Sequence, residues 1–172
     1  MAFWLLAPFF LLRFGLLALL DRNAVARAAH FPSQFQQNQL AYWVYQAANA
    51  AILVSLFFLR IALTPPFLFY SGVVLYFIGS VLLAISVVNF AAPSGSGINR
   101  NGLYRFSRNP MYLAYFVFFY GCALLTQSLL LFAFTVIFQV SSHWLIRSEE
   151  RWCIAQFGDE YLEYMKRVRR YL

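Results

Sequence analysis

The sequence predicts an all-α integral membrane protein: five transmembrane helices, the last two forming a C-terminal helical hairpin, followed by a cytosolic C-terminal helix. Three observations predict it. Hydrophobic residues make up 62% of the 172 residues and charged ones 11%, whereas an ordinary soluble domain carries about 25% charge. Several apolar runs approach the ~20 residues that a bilayer-spanning helix needs. The arginines and lysines gather between and after those runs, on alternate connections. No linker-like stretch divides residues 1–172, so they read as a single membrane domain with N-terminal spans in 1–88 and a more polar, chemistry-bearing part in 89–172.

The first span covers about residues 3–20, with Arg13 inside it. A charged side chain there either snorkels to the interface or faces the bundle, and snorkelling is the expected behaviour. Ala24-Val25-Ala26 mimics a leader-cleavage site, but no positive side chain precedes the apolar run and Arg13 interrupts it, so a span is expected. Residues 21–40 are polar and form a loop or a surface helix. Span two, about 41–63, opens on Tyr42, Trp43 and Tyr45, aromatics suited to the headgroup boundary. Thr64-Pro65-Pro66 breaks it, because proline lacks a backbone donor. Span three covers about 67–90. Pro93-Ser94-Gly95-Ser96-Gly97 has loop composition. Spans four (about 110–126) and five (about 128–146) are separated only by Thr126-Gln127-Ser128, which requires a hairpin. Ile154, Phe157, Tyr161, Tyr164 and Val168 then recur at helical spacing. They predict a helix running out of span five, broken at Gly158 and restarted with Asp159 as N-cap.

Charge gives the orientation. Eleven of the thirteen basic residues, all except Arg13 and Arg60, lie in 21–40, 91–109 or the C-terminal tail. The positive-inside rule places those segments in the cytoplasm. The net charge of +7 therefore has a topological explanation, and no nucleic-acid partner is expected. Cys122 lies in an apolar run and Cys153 in a charged one, which predicts neither a disulfide nor a metal site.

Two charged blocks carry the chemistry. Gly102-Leu103-Tyr104-Arg105-Phe106-Ser107-Arg108-Asn109-Pro110-Met111-Tyr112 runs straight into span four. Asn109 is a favoured N-cap and Pro110 suits the first helical position. With Arg105 and Arg108 beside it, that helix start is a candidate anion site, and Tyr104 and Tyr112 offer aromatic faces to a cation. Contact with lipid headgroups is the plainer alternative. The second block is Arg147-Ser148-Glu149-Glu150-Arg151. Two adjacent helical acids face different directions, so at most one enters a given pocket. Alone, they make a solvated helix face. The hairpin, however, brings residues near 109 beside residues near 147. His143 is expected to be a packed interfacial side chain. No Gly-Lys-Ser/Thr follows the Ser-Gly loop, and no Gly-x-Gly-x-x-Gly occurs, so P-loop and Rossmann nucleotide sites are not expected.

Taken with Phe157-Gly158, Glu160-Tyr161 and Tyr164, these blocks resemble the isoprenylcysteine carboxyl methyltransferases, their bacterial relatives and the phospholipid N-methyltransferases. The resemblance covers about residues 89–170. It implies S-adenosylmethionine as methyl donor, held at the cytosolic face, and a lipid-like acceptor arriving from the bilayer. It places Tyr104, Asn109, Pro110, Met111 and Tyr112 around the donor together with Arg108. The loop Ser96, Gly97, Ile98 and Asn99, with Asn89, would lie over it. Glu149 or Glu150 would sit near the reacting end, with Arg147 close by. Two positions depart from the prenylcysteine enzymes: Asn109 stands where they have histidine, and Leu145 where the eukaryotic ones have arginine. Asparagine cannot titrate, so proton transfer at 109 is excluded. The expected activity is prenylcysteine-type O-methylation. The alternatives are N-methylation of phosphatidylethanolamine or, in another class, a non-enzymatic membrane scaffold. No metal and no obligate protein partner are implied.

Overall fold

The computed structural model describes residues 1–20, 39–92 and 98–172. Ser96, Gly97, the polar stretch 21–38 and the cleavage-like tripeptide lie outside the described residues. The described residues form helices without a named strand, in the order α1 (Ala2–Leu20), α2 (Gln39–Phe58), α3 (Pro66–Ala91), a short 3-10 turn (Gly102–Arg105), α4 (Pro110–Thr126), α5 (Leu129–Phe157) and α6 (Asp159–Arg167). Four of them, α1, α2, α3 and α5, are long and apolar enough to cross a bilayer. α4 is equally apolar in character but has only 17 residues.

Each helix has a local cause. α3 starts on Pro66, whose fixed φ and missing donor suit the first turn. α4 starts on Pro110 for the same reason and stops at Gln127, which takes a left-handed conformation (φ 49°). Ser128 then caps α5, its side chain accepting from the Leu131 amide at 3.2 Å. The α4–α5 turn therefore lies where the sequence puts it. Span two ends earlier than expected, at Phe58 rather than near residue 63. The backbone beyond it bonds sideways instead: Leu59 accepts from the Ala2 amide, and Ala62 donates to Leu125. These bonds bring the start of α1, the end of α2 and the end of α4 to one end of the bundle. The charged segments occupy the other end.

Close backbone approach locks α3 to α4. A Cβ on Gly79 would lie 2.5 Å from the Phe118 amide nitrogen, and one on Gly121 would lie 2.4 Å from that of Tyr76. Small residues at such crossings let helices gain dispersion contacts that lipid cannot replace. α5 packs on α4 through Phe138, which meets Phe116 and Phe119, and on α2 through the Tyr45–Phe138 stack. α1 closes the bundle: Phe9 touches Tyr115, Phe118 and Phe119, and Phe3 stacks on Phe57. The outward face of α3, with Phe67, Tyr70, Val74 and Phe77, is exposed and apolar, as a lipid-facing surface is.

Two expectations need correction. Arg13 does not snorkel. It sits on a π-helical stretch of α1 (Leu11–Leu16) and turns inward to the Met111 sulfur and the Tyr115 ring. The wider π turn re-aims its residues, and the guanidinium gains partners there that the lipid face cannot offer. In the tail, Gly158 (φ 56°) is itself the N-cap of α6, and Asp159 occupies the first helical turn instead. The expected tail pattern does fold as a unit: Tyr161 and Tyr164 are buried with Ile98, and Ile154, Phe157 and Val168 pack around them.

Candidate active site

The charged end of the α4–α5 hairpin is built from three chain segments. The first is the loop before α4. Asn109 precedes α4 as the sequence suggests, but its side chain makes no capping bond. The amide nitrogen Nδ2 instead donates to the Arg170 carbonyl at 3.1 Å. Ser107, almost fully buried, donates its hydroxyl to the same carbonyl at 3.2 Å and accepts from the Asn109 amide at 3.1 Å. The Arg108 amide donates to the Arg169 carbonyl at 2.9 Å. The C-terminal strap, residues 168–171, thus runs beside residues 107–109 in a strand-like pairing.

The second segment is the end of α5. Glu149 and Glu150 diverge, as neighbours on a helix must. The Glu149 carboxylate accepts from the Tyr112 hydroxyl at 2.8 Å, across the hairpin. Glu150, only 4% exposed, binds two guanidiniums. Arg108 approaches Oε1 at 3.0 Å. Arg170 donates from Nε to Oε1 and Oε2 at 3.1 and 3.0 Å, and from Nη2 to Oε2 at 2.7 Å. These charge-assisted bonds make Arg170 harder still to deprotonate. Two cations on one buried anion leave a local surplus of positive charge. Asn109 and Glu150 therefore share one partner residue, Arg170, at one end of the bundle.

The third segment is the loop over this end. Asn89, at the end of α3, rests against Gly102, where a Cβ would come within 2.1 Å of its Nδ2. Gly102 also has φ 54°, so both space and backbone require glycine there. Asn99 donates to the Phe90 carbonyl at 3.1 Å. Tyr104 is buried, and its carbonyl accepts from the Tyr164 hydroxyl at 2.7 Å. Burial holds the Tyr104 phenol well above its ordinary pKa and pushes Tyr164 up to about 12, against the opposing pull of Arg108 and Arg100. Both remain neutral hydrogen-bonding groups at physiological pH.

Of the site residues expected from sequence, Asn89, Ile98, Asn99, Tyr104, Arg108, Asn109, Glu149 and Glu150 lie along these three segments, and Pro110, Met111 and Tyr112 on the first turn of α4. Arg147 does not join them. It lies about 200° around α5 from Glu149 and is exposed. The two arginines expected to flank an anion site also part company. Arg108 is committed to Glu150, while Arg105 lines an open surface groove of about 550 Å³ with Arg100, Glu160, Glu163 and Tyr164. His143 is packed as expected, its Nδ1 3.1 Å from the Tyr171 hydroxyl. Sequence reasoning missed Ser107 and Arg170, and expected Arg13 to snorkel. The clue to Arg170 was its spacing: in an extended strap it falls two residues from Val168, on the same inward face, while Arg169 turns outward. Among the described residues, no three His, Cys, Asp or Glu side chains gather as a metal site.

Residues 88–160 match the phospholipid methyltransferase family. A stretch of 66 residues is 41% identical to methanethiol S-methyltransferase 1 of Bradyrhizobium diazoefficiens. That stretch covers 38% of this chain and 22% of the relative, so the match spans about a fifth of that protein's length. No solved structure matches. The hairpin, its two charged blocks and the loop over them all fall within or beside the matched residues, and over 88–160 this chain is similar to the phospholipid methyltransferases.

Proposed function

We propose that this chain is an integral membrane methyltransferase that uses S-adenosylmethionine and methylates a nucleophile on an apolar, bilayer-borne molecule. In this reading α4 is a fifth span, its 17 residues long enough for about 25 Å of hydrocarbon. The charged end faces the cytoplasm. The observation that carries the reading is the convergence of Asn109, Arg108, Tyr112, Glu149 and Glu150 at one end of the α4–α5 hairpin.

The residues present fit the donor. Arg108 Nε and Nη1, Asn89 Nδ2 and Asn99 Oδ1 are buried and have no hydrogen-bond partner among the described residues. Buried polar groups are nearly always satisfied, so four orphans around one loop ask for a polar ligand. Arg108 would hold a carboxylate, Asn99 would accept from an ammonium or amino group, and Asn89 would donate to a hydroxyl or ring nitrogen. When bound, the donor supplies an electrophilic methyl group. The chain's own work is to hold both partners in line and exclude water. Glu149, held by Tyr112, is the carboxylate placed to take a proton from an acceptor that must lose one. Asn109 can only orient, having no titratable group.

An oxygen acceptor of the prenylcysteine type is what the resemblance of the sequence blocks implies. Two other acceptors draw support from the comparisons: a phospholipid amine, from the matched family, and a small thiol, from the named relative. Titration with S-adenosylhomocysteine by calorimetry tests the donor assignment. Saturable binding is expected for the wild type, with at least ten-fold weakening in Asn109→Ala. No binding at millimolar ligand refutes it. Labelled-methyl transfer to a prenylcysteine, to phosphatidylethanolamine and to an alkanethiol then separates the acceptors.

A further inference from the structure

Arg13 lies outside the matched residues 88–160 and outside the Glu150 network. It stands about two turns from the end of α1 that faces the charged segments, and it points into the bundle. Its hydrogen-bond partner is the Met111 thioether, a weak acceptor, and its guanidinium lies 5.6 Å from the centre of the Tyr115 ring. No ion pair among the described residues includes it. A guanidinium has five N–H donors, and keeping one inside a membrane bundle without an anion is costly. Tyr115 adjoins it: the residue is 7% exposed, and among the described residues its buried hydroxyl can only accept from the Arg13 guanidinium, which leaves its own O–H undonated. Tyr45 and Glu149 lie within electrostatic reach of Arg13. The cluster is thus rich in donors, and its nearest anion, Glu149, is already bonded to Tyr112. It sits between α1, α2 and α4, next to the Tyr112–Glu149 bond.

We propose that Arg13 and Tyr115 form an acceptor-side subsite that binds the oxyanion head, carboxylate or phosphate, of an amphiphile entering from the bilayer. The proposal rests on the methyltransferase reading for the purpose of the site, but not for its chemistry. An oxyanion satisfies the Arg13 donors and the Tyr115 hydroxyl together. Its alkyl chain leaves between apolar helices, and its head stops beside Glu149 and the first turn of α4. A snorkelling arginine would do none of this.

The test measures thermal unfolding of the full chain in neutral dodecylmaltoside, with dodecyl phosphate, laurate or neutral dodecanol added at equal mole fraction. A ligand that binds only the folded state raises Tm. The wild type should gain several degrees with one or both anions and none with dodecanol. A gain with laurate alone identifies a carboxylate head, and one with dodecyl phosphate alone a phosphate head. Arg13→Gln should abolish the gain, Arg13→Lys should retain part of it, and Arg60→Gln, an exposed arginine at the other end, should leave it unchanged. Tyr115→Phe removes only the hydroxyl and should at least halve the gain; if Arg13→Gln fails to fold, that variant decides. Equal response to dodecanol, or a full gain in Arg13→Gln or Tyr115→Phe, overturns the proposal. S-adenosylhomocysteine is run on the same samples. If it gives no shift while the Arg13-dependent gain persists, the donor assignment fails and the subsite stands.

Discussion

The buried carboxylate of Glu150 makes the sharpest quantitative prediction. Its side chain is 5% exposed, between Arg108 at 8% and Arg170 at 29%. Removing one partner of a buried ion pair costs about 3–5 kcal/mol when the other is left uncompensated. In Arg170→Ala the carboxylate keeps Arg108, and water can enter where the partly exposed guanidinium stood. The cost should fall below that range, to about 2 kcal/mol by the same reasoning. In Glu150→Gln, Arg108 and Arg170 lose their shared anion, and Arg108 is too buried for water to replace it. The full range of about 3–5 kcal/mol applies. For a chain of this length each kcal/mol moves Tm by about 2–4 °C. Arg170→Ala should therefore unfold roughly 4–8 °C below wild type and Glu150→Gln roughly 6–20 °C below it. The assay is a thermal melt in detergent, followed by circular dichroism. The double variant should fall well short of the sum, because both changes break one network. The reasoning is refuted if Arg170→Ala melts within a degree of wild type, or if the two effects simply add.

Other expectations follow from single contacts. Gly79→Leu should lower Tm markedly, since overpacking costs about 1–3 kcal/mol and the obstructing atom is Phe118 backbone. Gly15→Ala meets nothing within 4 Å and should be neutral or stabilising. Gly102→Ala should displace the Asn89 amide and weaken S-adenosylhomocysteine binding about ten-fold by the usual arithmetic of 1.4 kcal/mol, with little change in α5 stability. Tyr164 makes a pH prediction. Its folded-state pKa of about 12 lies above the ordinary 10.0, so its contribution is complete below pH 10 and declines as pH rises toward 12. Wild-type Tm should fall faster than that of Tyr164→Phe across that window; parallel curves would refute the assignment.

The sequence by itself determined what depends on local pattern. Apolar runs set the helices: α4 is at 110–126 as expected, and α3 differs from its expected bounds by a residue at each end. Proline, glycine and the Gln127-Ser128 turn set the breaks, and the hairpin placed residues near 109 beside those near 147. Tertiary structure alone decided which charges meet. Arg108, not Arg147, reaches Glu150, because rotation of α5 about its axis turns residue 147 outward. Arg170 closes the network from 20 residues away because the chain reverses at Gly158 and returns as a strap. Arg13 meets Met111 across 98 residues because a π turn aims it inward. Hydropathy and capping act over one or two turns and are written along the chain. The pairing of guanidinium with carboxylate depends on helix rotation and on the path of the tail, which only the packed bundle fixes.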